Sequence, residues 1–145
     1  MVKKKNINFL LESVISNFSG LPKGKVLDLG CGDGDYSKRL KDLGFDVIAG
    51  DIDLARFKYK DAIKFEHCDI TKEMPFPADC FDYVLLMEVV EHLRSPYAVM
   101  SEINRILKKN GSLILSTPNI LNLKSRFRFL IEGVYEYLKN NLKEK

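Results

Sequence analysis

Closely spaced glycines and a set of acids carry the chemistry open to this chain. Residues 26–36 read Val-Leu-Asp-Leu-Gly-Cys-Gly-Asp-Gly-Asp-Tyr, so Asp28, Gly30, Gly32 and Gly34 fall between an apolar run and a helical pattern. Glycine lacks a Cβ, which lets backbone pass close to a ligand. The helix start that follows adds N–H donors and a partial positive charge. The spacing narrows the ligand. A dinucleotide fingerprint counted from Gly30 needs a third glycine at 35, where Asp35 stands. No Gly-Lys-Ser/Thr follows, which excludes a phosphate-binding P-loop. An acid inside the strand repels a pyrophosphate and suits a ligand with a cationic end.

Other acids close later apolar runs. Asp51 ends Ile48-Ala49-Gly50, 23 residues after Asp28. A carboxylate at that place can accept both hydroxyls of a ribose. Its neighbour Asp53 reads better as a helix N-cap. Asp69 follows a third run, and His67 reads as a strand-end residue. Residues 87–93, Met-Glu-Val-Val-Glu-His-Leu, follow a fourth. A helical turn there puts Glu88, Glu91 and His92 on one face. His92 could act as a general base near neutral pH. The trio could equally be a polar helix start that caps backbone and meets water.

These residues need a scaffold of alternating strands and helices. Ile7, Leu10, Leu11, Val14, Ile15 and Phe18 recur at helical spacing and predict a helix stopped by 19–22. Strands are expected at 26–29, 46–49, 63–66, 81–87 and 112–116. Helices are expected at about 35–43, ended by Gly44, at 97–107, and over roughly 120–142 with a break at Gly133. The stretch 54–62 is poorly patterned, and Met74-Pro75-Phe76-Pro77 must be loop. The run 81–87 is almost continuously apolar, as a central parallel strand is. The fold class is therefore α/β: a Rossmann-like doubly wound parallel sheet of about five strands with flanking helices. Open sheets of this kind take ligands at the carboxyl ends of their strands.

Bulk properties agree. The 145 residues are 46% hydrophobic and 30% charged, enough for one domain (1–145) with a real core. A net charge of +3 is too small to imply nucleic-acid binding. Cys31, Cys68 and Cys80 lack paired metal-ligand spacing and read as small buried residues of a reducing interior. No apolar run reaches the ~20 residues of a membrane span. Polar residues interrupt any signal-peptide core after Lys3-Lys4-Lys5, so a cytoplasmic location is expected. Residues 124–129 alternate basic and aromatic side chains. A helix with Phe127, Leu130, Ile131 and Val134 turned inward is favoured over a nucleic-acid patch.

The acid and three glycines of 28–34 resemble the first motif of the class I S-adenosylmethionine-dependent methyltransferases. The resemblance continues through Met74-Pro75-Phe76-Pro77 with Phe81-Asp82-Tyr83-Val84, and through 102–119 closing on Thr117-Pro118-Asn119. It implies S-adenosylmethionine as cofactor and a small-molecule methyl acceptor. It assigns cofactor contacts to Asp28, Gly30, Cys31, Gly32 and Gly34 in the turn, and to Asp51 and Ile52 at the ribose. Asp69 would meet the adenine amino group, Ile70 would pack on the ring, and Met87 would line the methionine end. Glu88-x-x-Glu91-His92 resembles a passage of the ubiquinone-pathway O-methyltransferases, where the trio is associated with a divalent metal. That adds a third reading. His92 is the residue assigned to catalysis, and no metal ligand is assigned. The Asp/Asn-Pro-Pro-Tyr/Phe motif of nucleic-acid methyltransferases is absent. The family sheet ends in an antiparallel hairpin that is not legible after Asn119. Strand five is then expected to be an edge covered by the last helix or by a second subunit. The alternative function is a cofactor-binding partner or regulatory subunit without activity of its own.

Overall fold

The computed structural model describes residues 2–119. Helix α1 (Val2–Ser19) leads into strand β1 (Lys25–Leu29). Helix α2 (Asp35–Asp42), strand β2 (Asp46–Asp51), a 3-10 turn (Leu54–Arg56) and strand β3 (Lys64–His67) follow. The chain then forms β4 (Phe81–Met87), a second 3-10 turn (Val90–His92), helix α3 (Pro96–Ile106) and β5 (Leu107–Ser116). All strand pairs are parallel, in the order β3-β2-β1-β4-β5. The chain winds outward from β1 to β3, then crosses back to β4 beside β1. The carboxyl ends of β1 and β4 therefore flank the switch point where such sheets hold ligands.

The strand period of two divides the core between the two sheet faces. Val26, Val47, Ala49 and Leu85 pack with Val14, Ile15, Phe18, Leu40 and Phe45 on the side of α1 and α2. Leu27, Leu29, Ile48, Val84 and Leu86 pack with Val99, Ile103 and Ile106 of α3 on the other. Phe18, Phe45 and Tyr83 meet edge to face at 5.4–5.9 Å between centroids. Asp28 belongs to the α1/α2 face by its period, and its burial there is an exception to an apolar strand.

The loop before β4 is held by Arg105. Its guanidinium donates to the Phe76 carbonyl at 2.9 Å and the Met74 carbonyl at 3.2 Å, and pairs with Glu102 at 2.8 Å. Glu102 in turn accepts the Met74 N–H. A loop with two prolines has few backbone donors of its own, so side chains of α3 satisfy it. At the same amino end of the sheet, Asp82 accepts the Lys25 N–H and pairs with Lys108.

Strands β2 and β5 depart most from expectation. Strand β2 runs on to Asp51, which places that acid at the strand end itself. The stretch 54–62 holds one 3-10 turn, consistent with its weak pattern. Strand β5 begins at Leu107, directly where α3 stops, whereas the sequence predicted its start at Ser112. A register shift between Phe81 and Tyr83 accommodates the extra residues, with Asn110 at φ 73°. Asn110-Gly111 thus makes a bulge within a strand and does not merely end a helix. The helix expected over 120–142 lies outside the described residues, as do Phe127, Leu130, Ile131 and Val134. No helix among the described residues is long and apolar enough to cross a membrane.

Candidate active site

The glycine turn rises from the end of β1 and is tied to β2. Gly30 and Cys31 both donate their N–H to the Gly50 carbonyl, at 2.7 and 3.2 Å. Gly30, Gly32 and Gly34 have φ of 74°, 52° and 88°, all in the left-handed region that side chains disfavour. Gly34 is also crowded: a Cβ there would lie 2.4 Å from Phe57 Cε2. Gly32 differs, because its Cβ position faces open space beside the Arg56 guanidinium.

Asp51 completes the turn. Its Oδ2 accepts the Gly32 N–H at 2.8 Å and its Oδ1 accepts the Asp53 N–H at 3.0 Å. The carboxylate is thus fixed by backbone, and each oxygen keeps acceptor capacity for a further donor. Asp53 caps the next 3-10 turn through Ala55, as its sequence position implied.

Asp28 lies beneath the turn, 2% exposed, with Oδ2 accepting the Ser37 hydroxyl at 2.5 Å. Burial pushes its carboxyl up to about 6, against the pull of the Ser37 hydrogen bond. Burial also raises the thiols of Cys31 and Cys68, which disfavours their thiolate forms.

A cavity of about 520 Å³ opens over these strand ends. Gly30, Gly32, Asp51, Ile52, Asp69, Ile70, Met87 and His92 line it together. The volume falls within the roughly 300–1,000 Å³ of small-molecule sites. A second cavity of about 290 Å³ adjoins it and contains Asp28, Cys31, Leu10 and Tyr36. Gly30, Arg56, Met87 and Glu88 line both. Except for Gly34, whose glycine is required by Phe57, every residue expected to contact the cofactor lines one of the two cavities.

Two expectations are modified. Asp69 is engaged in its own turn: Oδ1 accepts the Thr71 N–H at 3.0 Å and the Thr71 hydroxyl at 2.7 Å, while Lys72 sits 3.1 Å from Oδ2. These hydrogen bonds, the Thr71 hydroxyl first, hold its carboxyl down at about 2. Glu88, Glu91 and His92 do not share one helical face. Glu88 stands outside the 3-10 turn at φ 55° and is bonded across to β5, where Ser116 Oγ donates to Glu88 Oε1 at 2.6 Å. Among the described residues no group of three His, Cys, Asp or Glu side chains is placed to hold a metal ion. His92 is exposed and reaches a further hollow with Arg94 and Ser95.

Sequence reasoning passed over Arg56, Tyr36 and Leu10. Arg56 lies in the unpatterned stretch, one short turn after Asp51, and that position relative to the acid was the available signal. Leu10 and Tyr36 looked only like helix-face residues.

The cavity's elements coincide with a known family: residues 27–115 match the methyltransferase domain. The chain belongs to the methyltransferase-domain family. Among relatives of this methyltransferase domain is a ubiquinone biosynthesis O-methyltransferase of Pelagibacter ubique. It is 33% identical over 145 aligned residues, covering 92% of this chain and 60% of the relative. The enzyme of the same name from Aliivibrio fischeri is 33% identical over 137 residues, with 89% and 58% covered. The methyltransferase domain thus spans about three fifths of the length of these curated relatives. A SAM-dependent methyltransferase from Archaeoglobus fulgidus superposes with TM-score 0.70 at 25% identity, covering 97% of this chain and 67% of that one. A protein from Pyrococcus horikoshii gives TM-score 0.71 at 27% identity, with 88% and 63% covered.

Proposed function

We propose that the chain binds S-adenosylmethionine and transfers its methyl group to a small-molecule acceptor. The observation that carries this is the Asp51 carboxylate, fixed by the Gly32 and Asp53 N–H groups at the mouth of a cavity floored by left-handed glycines. The site fits the group. Asp51 offers acceptors to the two ribose hydroxyls. Ile52 is 62% exposed although apolar, and it lines the cavity where a purine would cover it. Ile70 lines the same cavity. Asp69 can meet an exocyclic amino group only by sharing an oxygen that already accepts from Thr71 or Lys72. Asp35 stands where a dinucleotide fingerprint needs its third glycine, which argues against a dinucleotide.

Asp51 would hold the ribose, Ile52 and Ile70 the base, and Gly30, Met87 and Asp28 the amino-acid end. Bound S-adenosylmethionine supplies an electrophilic methyl group, and its transfer breaks the methyl–sulfur bond with the pair remaining on sulfur. The chain's residues align that end and exclude water from it. His92 is the proposed acceptor of the proton that the nucleophile loses. Close relatives carry ubiquinone biosynthesis O-methyltransferase names, which supports a hydroxyl acceptor. A cytoplasmic location is part of the proposal, supported by three free thiols. So is self-association through β5, which is an edge of the described sheet and exposes Leu115 at 44%. Sedimentation of a monomer with this edge solvent-exposed would count against that pairing.

Incubation with methyl-labelled S-adenosylmethionine and a cell metabolite extract tests the activity. Label should enter a small molecule, and His92→Ala should reduce the rate by about 10²-fold or more while leaving cofactor binding intact. Binding without any labelled product would instead support a partner or regulatory subunit.

A further inference from the structure

Glu88 is the one carboxylate lining both cavities; Asp51 and Asp69 line only the larger, and Asp28 only the smaller. It therefore stands where the two adjoin, with Met87, Gly30 and Arg56. Its place is unusually determined. A non-glycine residue at φ 55° is disfavoured and persists only where surroundings fix it. Here Ser116 fixes it through three hydrogen bonds: the Glu88 N–H donates to the Ser116 carbonyl and hydroxyl oxygens, each at 3.2 Å, and the hydroxyl donates to Oε1. Oε2 keeps its lone pairs, and no ion pair reaches Glu88 among the described residues. Arg56 shares both cavities but is drawn to Asp33 at 3.3 Å. The Glu88 charge is felt across the smaller cavity. It adds to burial in pushing the Tyr36 hydroxyl up to about 12.

A fixed, unneutralised carboxylate at this point calls for a cationic ligand group. We infer that Glu88 reads the positive charge of the methyl donor, favouring the sulfonium cofactor over its neutral thioether product. The inference rests on the cofactor reading above. Asp51, Ile52 and Glu88 line one cavity, so a ligand seated by the first two would bring its sulfur toward the wall that Glu88 lines. After transfer the sulfur is uncharged and the attraction ends, so Glu88 favours exchange of product for fresh donor.

Calorimetry with S-adenosylmethionine, S-adenosylhomocysteine and sinefungin, which carries an amine in place of the sulfonium methyl, tests this. Glu88→Gln removes the charge and keeps an oxygen for the Ser116 hydroxyl. It should weaken S-adenosylmethionine and sinefungin by roughly five- to tenfold and S-adenosylhomocysteine by less than about twofold. Equal changes for all three, or none, would overturn the inference. Should that variant fail to fold, wild-type protein gives a second reading. Its preference for donor over product should shrink between about 0.05 and 0.5 M salt, since the carboxylate is exposed. A preference constant over that range would overturn it too. Wild-type protein that binds neither donor nor product would refute the cofactor reading itself.

Discussion

Asp51 Oδ2 accepts the Gly32 N–H at 2.8 Å, so the acid ending β2 is bonded to the turn ending β1. One contact thus sets the position of the two groups that a nucleoside ligand would meet. Replacing Asp51 with Ala removes the acceptor of that N–H and of the Asp53 N–H. S-Adenosylmethionine binding should weaken by about 1–3 kcal/mol in calorimetry. An unchanged affinity would place the ribose contact elsewhere.

The glycines of the turn should separate into two kinds. A Cβ at Gly34 collides with the Phe57 ring at 2.4 Å, and φ is 88°. Gly34→Ala should cost about 2–4 kcal/mol in urea unfolding, from strain and overpacking combined. At Gly32 the nearest atom is 3.6 Å away, so only the backbone conformation opposes a methyl group. Gly32→Ala should cost about 1 kcal/mol in stability and fall more heavily on ligand binding. Equal losses of stability would contradict this division.

Asp28 makes stability depend on pH in an unusual direction. Its carboxyl is raised to about 6 by burial, above its unfolded value near 4. Between these values the folded chain holds the proton more tightly than the unfolded chain. Stability from this group is therefore complete below about pH 4 and is lost as pH rises through about 6. Asp28→Asn keeps an oxygen for the Ser37 hydroxyl and cannot ionise. Its unfolding free energy should be flatter between pH 4 and 7 than the wild type's, by an amount on the order of 2 kcal/mol. Parallel profiles would show that Asp28 does not carry the burden.

Arg105 should matter more than a surface cation. It donates to the Met74 and Phe76 carbonyls and pairs with Glu102. Arg105→Lys retains charge but not the fork that reaches all three. A loss of about 1–2 kcal/mol is expected by chemical denaturation, with little change in ligand affinity because the loop it holds borders neither ligand cavity through Arg105. A fully wild-type midpoint would make the loop self-supporting.

The sheet was legible because burial on both faces leaves a plain mark. Apart from Asp28 and Asp82, Val26–Leu29 and Phe81–Met87 are apolar on both periods, as central parallel strands are. The turn was legible because three glycines in five residues have few other uses. Legibility failed where tertiary contacts overrode local pattern. Asn110-Gly111 reads as a helix stop, yet pairing with β4 draws the residues before it into β5. The left-handed Glu88 could not be foreseen, since its conformation is fixed by Ser116 from a strand 28 residues away. The commitment of Asp69 to Thr71 and Lys72 follows from local turn chemistry and was foreseeable only as an alternative. Arg56 sits in a stretch without periodicity, and only folding brings it above Gly32.

The cofactor is the central claim, and calorimetry of the wild-type chain with S-adenosylmethionine and, separately, NAD tests it most directly. Saturable binding of S-adenosylmethionine with no heat from NAD is expected. Binding of NAD in preference, or no binding of S-adenosylmethionine at any concentration up to the millimolar range, would contradict it.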